Sequence, residues 1–137
     1  MITLLRWLGV IVLPLIAGVT VIICVQLMLN YFNAQCDQTM SVAGLCVASW
    51  HADAMDAIVH GGLALIAAGT VMLPGIVAPA LRRWLSLAGL VLVTSISFFV
   101  YQRFGWPDLL GAAVVMTATG LLCFGYIWFR ETSAHDN

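Results

Sequence analysis

Lysine is absent from these 137 residues, and charge of either sign is scarce: five arginines and six acidic residues make up 8% of the chain, against roughly 25% in a soluble domain. So little charge cannot coat a water-soluble fold. The net charge of -1 supplies no basic face for a nucleic-acid backbone, so no nucleic-acid partner is expected. Also missing are a Cys-x-x-Cys pair, a Walker loop, a His-Glu-x-x-His helix and a Gly-x-Ser-x-Gly elbow, the commonest signatures of thiol redox, nucleotide, metalloprotease and serine-hydrolase chemistry. The expectation is a non-enzymatic protein with no catalytic residues, no cofactor and no bound metal. No internal repeat, low-complexity tract or hydrophilic linker divides the chain, so 1–137 reads as one membrane domain.

What is present is hydrocarbon. Apolar residues make up 63% of the sequence and the mean hydropathy is +1.06. The few ionisable side chains cut the chain into four apolar blocks, at about 7–30, 54–73, 84–101 and 108–129, each close to the ~20 residues that cross a bilayer. Pro107 suits a first helical turn, while Pro74-Gly75 and Pro79 mark exit or kink positions for the second block. The predicted fold is an all-α four-transmembrane-helix bundle with an outer loop over about 31–53. The five tryptophans, Trp7, Trp50, Trp84, Trp106 and Trp128, fall at the block edges, where indole rings anchor to the membrane interface. The first block is far longer than a secretory h-region and lacks a small-residue cleavage box, so it is expected to remain as an anchor.

Arginine sets the expected orientation. Arg6, Arg82, Arg83 and Arg130 fall on one side and only Arg103 on the other. The positive-inside rule then places both termini in the cytoplasm of a bacterial inner membrane. Asp37, Asp53, Asp56 and Asp108 gather at the outer face and make it locally acidic.

Two of the four cysteines, Cys24 and Cys123, lie inside spans and read as inert packing. Cys36 and Cys46 lie in the outer loop. A bridge between them closes a loop of about ten residues, expected in an oxidising periplasm.

The densest ionisable stretch runs from Ser49 to His60. At 100° per residue Asp53, Asp56 and His60 fall at about 0°, 300° and 340°, one narrow stripe, with His51 on the far side. Asp53 suits an N-cap, Asp56 the third helical position, and the four-residue step from Asp56 to His60 a local pair. The same three side chains are candidates for partner binding or ion relay, because an ionisable group below a membrane surface is costly. A metal there would need a further ligand from elsewhere. Haem ligation by His51 and His60 fails, since nine residues place them on opposite helix faces.

Small-residue spacings mark where helices approach closely in lipid. They occur at Ala57 and Gly61, Ala64 and Ala68, and Ala113 and Thr117, which makes spans two and four the expected centre. Helices without midplane charge argue for a protein that works by contact, with a membrane-embedded or membrane-inserting partner as well as the lipid bilayer. In size and topology the chain resembles immunity proteins, small polytopic membrane proteins that neutralise pore-forming bacterial toxins; no motif supports a closer family likeness. Alternatives are an accessory or assembly subunit of a larger inner-membrane complex, or a small carrier of ions or solutes acting as a homodimer.

Overall fold

A computed structural model describes residues 2–36, 41–42, 45–78, 81–104 and 107–135. Four helices account for nearly all of them: α1 (Ile2–Ala34), α2 (Ser49–Val77), α3 (Arg82–Phe104) and α4 (Pro107–His135). Leu5–Ala34, Ser49–Val77, Arg82–Arg103 and Leu109–Thr132 are each long and apolar enough to cross a bilayer. The chain is an all-α four-helix bundle and a multi-pass membrane protein. Helix is the form this sequence must take in hydrocarbon, where each segment has to satisfy its own N–H and C=O groups. Between α1 and α2 a small antiparallel hairpin pairs β1 (Ser41–Val42) with β2 (Leu45–Cys46), Ser41 opposite Cys46 and Val42 opposite Leu45.

Contacts between helices fix the direction of each. Along α1 and α2, Gly9 lies by Val77, Ala17 by Gly69, Val25 by Gly62 and Asn33 by His51, an antiparallel pair. Gly75 by Ser86 and Thr70 by Gly89 set α2 against α3 in the same sense. Leu90 by Gly120 and Arg83 by Glu131 do so for α3 and α4, while His60 by Gly111 and Gly75 by Ile127 run α2 and α4 in parallel. The helices therefore alternate up and down. One end of the bundle carries the Cys36–Cys46 loop, here the disulfide end, and the opposite end carries the start of α1 and the end of α4, the termini end.

The centre differs in one respect from the expectation that spans two and four share it. Helix α2 packs against all three others, α3 and α4 pack against α2 and each other, and α1 packs mainly along α2. The result is a three-helix cluster with α1 laid against one side. Ala67 and Val71 of α2 are fully buried, and Leu90 and Val93 of α3 and Ile127 of α4 are nearly so. Most other large apolar side chains, such as Ile11, Leu65, Phe99 and Leu122, face outward, the surface a bilayer requires.

Every helix extends beyond its apolar block, and α2 shows why. Its N-cap is Ala48, which offers no side-chain bond, so Asp53 and Asp56 are not the capping and third-position residues but lie one and two turns further in. At the other end α2 runs through Pro74 and Gly75 to Val77 instead of leaving there. Pro74 has no N–H for the Thr70 carbonyl, and α3 covers that carbonyl at Gly89. The helix thus loses one bond without exposing the freed oxygen to lipid. The turn into α3 includes Leu81, whose φ of 59° is left-handed. Asp37, Pro79 and Trp106, and the side chain of Asp108, lie outside the described residues.

Candidate functional site at the disulfide end

The disulfide end gathers polar and aromatic residues from the end of α1 and the start of α2. Cys36 and Cys46 are joined, with an S–S distance of 2.06 Å and a Cα–Cα distance of 5.9 Å. Tyr31 meets Phe32 edge-on at 5.8 Å, and Phe32 lies 6.3 Å from Trp50 across the α1–α2 seam. Beside them His51 Nε2 donates to Asn33 Oδ1 at 2.9 Å. The amphipathic rings and these short-reach polar groups suit the membrane interface, which accepts both. A bridge, a ring pair and a hydrogen bond therefore fix the start of α2 to the end of α1.

On this base α2 carries its two carboxylates. Asp53 is exposed and makes no hydrogen bond or ion pair among the described residues. Asp56 has 69% of its side chain exposed and pairs with His60, one turn deeper. His60 Nδ1 lies 3.0 Å from Asp56 Oδ1 and 2.9 Å from the Asp56 carbonyl oxygen. Both partners are acceptors, so Nδ1 carries the proton and donates to them. The opposite ring edge turns to α4, where a Cβ at Gly111 would stand 3.2 Å from Nε2. Of the three stripe residues the fold thus joins Asp56 with His60 and leaves Asp53 apart. Among the described residues no three His, Cys, Asp or Glu side chains converge as they would round a metal ion.

The small-residue positions take several environments. Val25 lies tightly against Gly62, one residue beyond Gly61, whereas a Cβ at Gly61 would meet nothing within 4 Å. Ala57 is exposed and Gly61 opens a groove of about 580 Å³ between α1 and α2. Ala64 and Ala68 are half-buried on α2. Ala113 and Thr117, also half-buried, line a second groove, about 450 Å³, between α3 and α4. Both grooves are almost wholly apolar.

At the termini end stands a polar group that reading the sequence missed. Arg83 Nε donates to Glu131 Oε2 at 2.6 Å, and its guanidinium lies over the Trp128 ring, 4.7 Å from the centroid. Arg82 Nε caps α2 by donating to the Ala78 carbonyl at 3.0 Å. Tryptophan and arginine at a block edge signal an interface, but the pairing of Arg83 with Glu131 across 48 residues depends on the register of α3 and α4. Compared with known protein families, curated proteins and solved structures, the chain matches none.

Proposed function

We propose that the protein acts by contact, as a non-enzymatic immunity protein that binds and neutralises a toxin inserting into the bacterial inner membrane. The observation that supports this reading is the braced acidic rim. Asp53 and Asp56 stand exposed on the first turns of α2, beside a loop closed by Cys36–Cys46 and tied to α1 through His51 and Asn33. Membrane-active toxins that carry basic residues are drawn to such a rim, and a prefixed surface loses less freedom on binding than a floppy one. On this reading the disulfide end faces the periplasm and both termini lie in the cytoplasm.

The test combines capture with protection. Tagged protein purified from its host in mild detergent should retain a secreted, membrane-inserting polypeptide, identified by mass spectrometry. Cells expressing Asp53→Lys with Asp56→Lys should lose protection against that polypeptide by roughly tenfold or more, the scale of one lost charge pair. Undiminished protection would remove the rim as the docking surface. Retention of resident enzyme or transporter subunits instead would replace this reading with an accessory role.

The carrier alternative draws on a different observation, the His60–Asp56 pair turned toward α4. It requires ion flux in proteoliposomes that His60→Ala abolishes.

A further inference from the structure

Helices α1 and α2 touch along one line and part beside it. The contact line passes through Val25 and Gly62; one residue away, at Gly61, there is open space. The resulting groove is lined by Thr20, Cys24 and Met28 on one wall and Ala57, Gly61 and Leu65 on the other. Its wall is apolar, and Thr20 Oγ1 is already spent on the Ile16 carbonyl at 2.8 Å, so water finds no partners inside. In a bilayer such a space fills with hydrocarbon, because an empty one forfeits dispersion contacts on both walls. A helix with side chains is about 10 Å across and would rest over a gap made by two small residues, whereas a single acyl chain enters it.

The mouth of this groove has its own chemistry. Trp50, two turns outward from Ala57, is 44% exposed and stands against Phe32. Asp53, one turn outward from Ala57, is an exposed carboxylate with no partner among the described residues, and the exposed Asp56 is close by. No arginine of α1 or α2 lies at this end; Arg103, at the same end, belongs to α3. An aromatic face next to a carboxylate attracts an ammonium group and repels an anionic head group that has none.

We infer that the α1–α2 groove holds an acyl chain of an ammonium-headed phospholipid, with the head group seated between the Trp50 ring and the Asp53 carboxylate. The lipid acts as a structural filler for a seam of the bundle that protein side chains leave open. It belongs to the leaflet at the disulfide end. This assignment shares Asp53 with the toxin-binding reading but does not rest on that reading.

Purified protein, equilibrated with vesicles of equal phosphatidylethanolamine and phosphatidylglycerol carrying the same acyl chains, tests it by native mass spectrometry. The wild type should retain the ethanolamine lipid over the glycerol lipid by roughly fivefold, the ratio expected of one exposed cation–π contact. Gly61→Leu, which fills the groove, should lose both lipids. Trp50→Ala with Asp53→Asn, both at the surface, should keep the total lipid and lose the preference. Equal retention of the two lipids by the wild type, or a preference that survives the double substitution, overturns the head-group assignment. Lipid bound as before by a folded Gly61→Leu protein overturns the groove, as does a second copy or a polypeptide found in place of the lipid. Cells carrying Gly61→Leu separate the two proposals, since this substitution removes the lipid and leaves Asp53 and Asp56, the rim proposed to meet the toxin, in place.

Discussion

Gly89 of α3 stands against the main-chain oxygen of Thr70 on α2: a Cβ at 89 would lie 2.6 Å from that oxygen and 3.3 Å from the Val71 Cα. The oxygen is available because Pro74, four residues on, has no N–H to offer it. Backbone meets backbone here, so nothing flexible can move aside, and a Cα–H directed at a carbonyl adds a weak attraction.

Gly89→Ala should therefore force α3 away from α2 and cost about 1–3 kcal/mol, the usual range for overpacking a tight contact. Thermal unfolding in detergent micelles should show a clear drop in midpoint. Gly61→Ala is the internal comparison: its Cβ enters open space, and the better helix former should leave the midpoint unchanged or raise it slightly. Equal effects at both positions would contradict the packing described.

The buried hydroxyl of Ser86 carries the second expectation. Ser86 has no exposure, and its Oγ has no hydrogen-bond partner among the described residues. Ser97, also on α3 and buried, instead donates to the Val93 carbonyl at 2.8 Å. An unsatisfied buried hydroxyl costs about 1–3 kcal/mol, so Ser86→Ala should raise the unfolding midpoint while Ser97→Ala leaves it level or lowers it. A fall for Ser86→Ala would mean that the hydroxyl has a partner after all.

Arg83, Glu131 and Trp128 form the third test. The ion pair is three-quarters buried on both sides, with side-chain exposures of 28% and 26%, and the guanidinium also covers the indole. A double-mutant cycle of Arg83→Ala with Glu131→Gln should give a coupling of about 1 kcal/mol, the upper part of the range for partly exposed pairs. Arg83→Lys should recover little of it, because a point charge loses the planar stacking on Trp128. Full rescue by lysine would show that charge alone matters there.

These sites show what was legible in the chain and what was not. The spans were, because a charge in hydrocarbon is costly enough to mark every boundary, from Arg6 to Arg130. The Asp56–His60 pair was too, since a four-residue step on a helix is a local relationship. Helix ends were misjudged at Asp53 and Pro74 because hydropathy follows the bilayer edge, while helical hydrogen bonding continues beyond it. The choice between Gly61 and Gly62 was out of reach. One residue turns a helix by about 100°, and only the placement of α1 decides which glycine meets Val25. Arg83 and Glu131 were hidden for the same reason, since their meeting rests on the register between two helices that the sequence does not encode locally.

The last prediction concerns orientation, on which the proposed function depends. The fold places Arg6, Arg82, Arg83 and Arg130 at the termini end and Arg103 alone at the disulfide end, and for such an asymmetry the positive-inside rule predicts a cytoplasmic termini end. With Cys24 and Cys123 replaced by serine, Ala52→Cys and Thr132→Cys put single exposed thiols at the two ends. A membrane-impermeant maleimide should label Ala52→Cys in spheroplasts with intact inner membranes, and Thr132→Cys only after those membranes are opened. The opposite pattern would set the Cys36–Cys46 bridge in a reducing compartment, where such bonds do not persist. It would also turn Asp53 and Asp56 away from anything arriving from outside, and the immunity reading would fail with it.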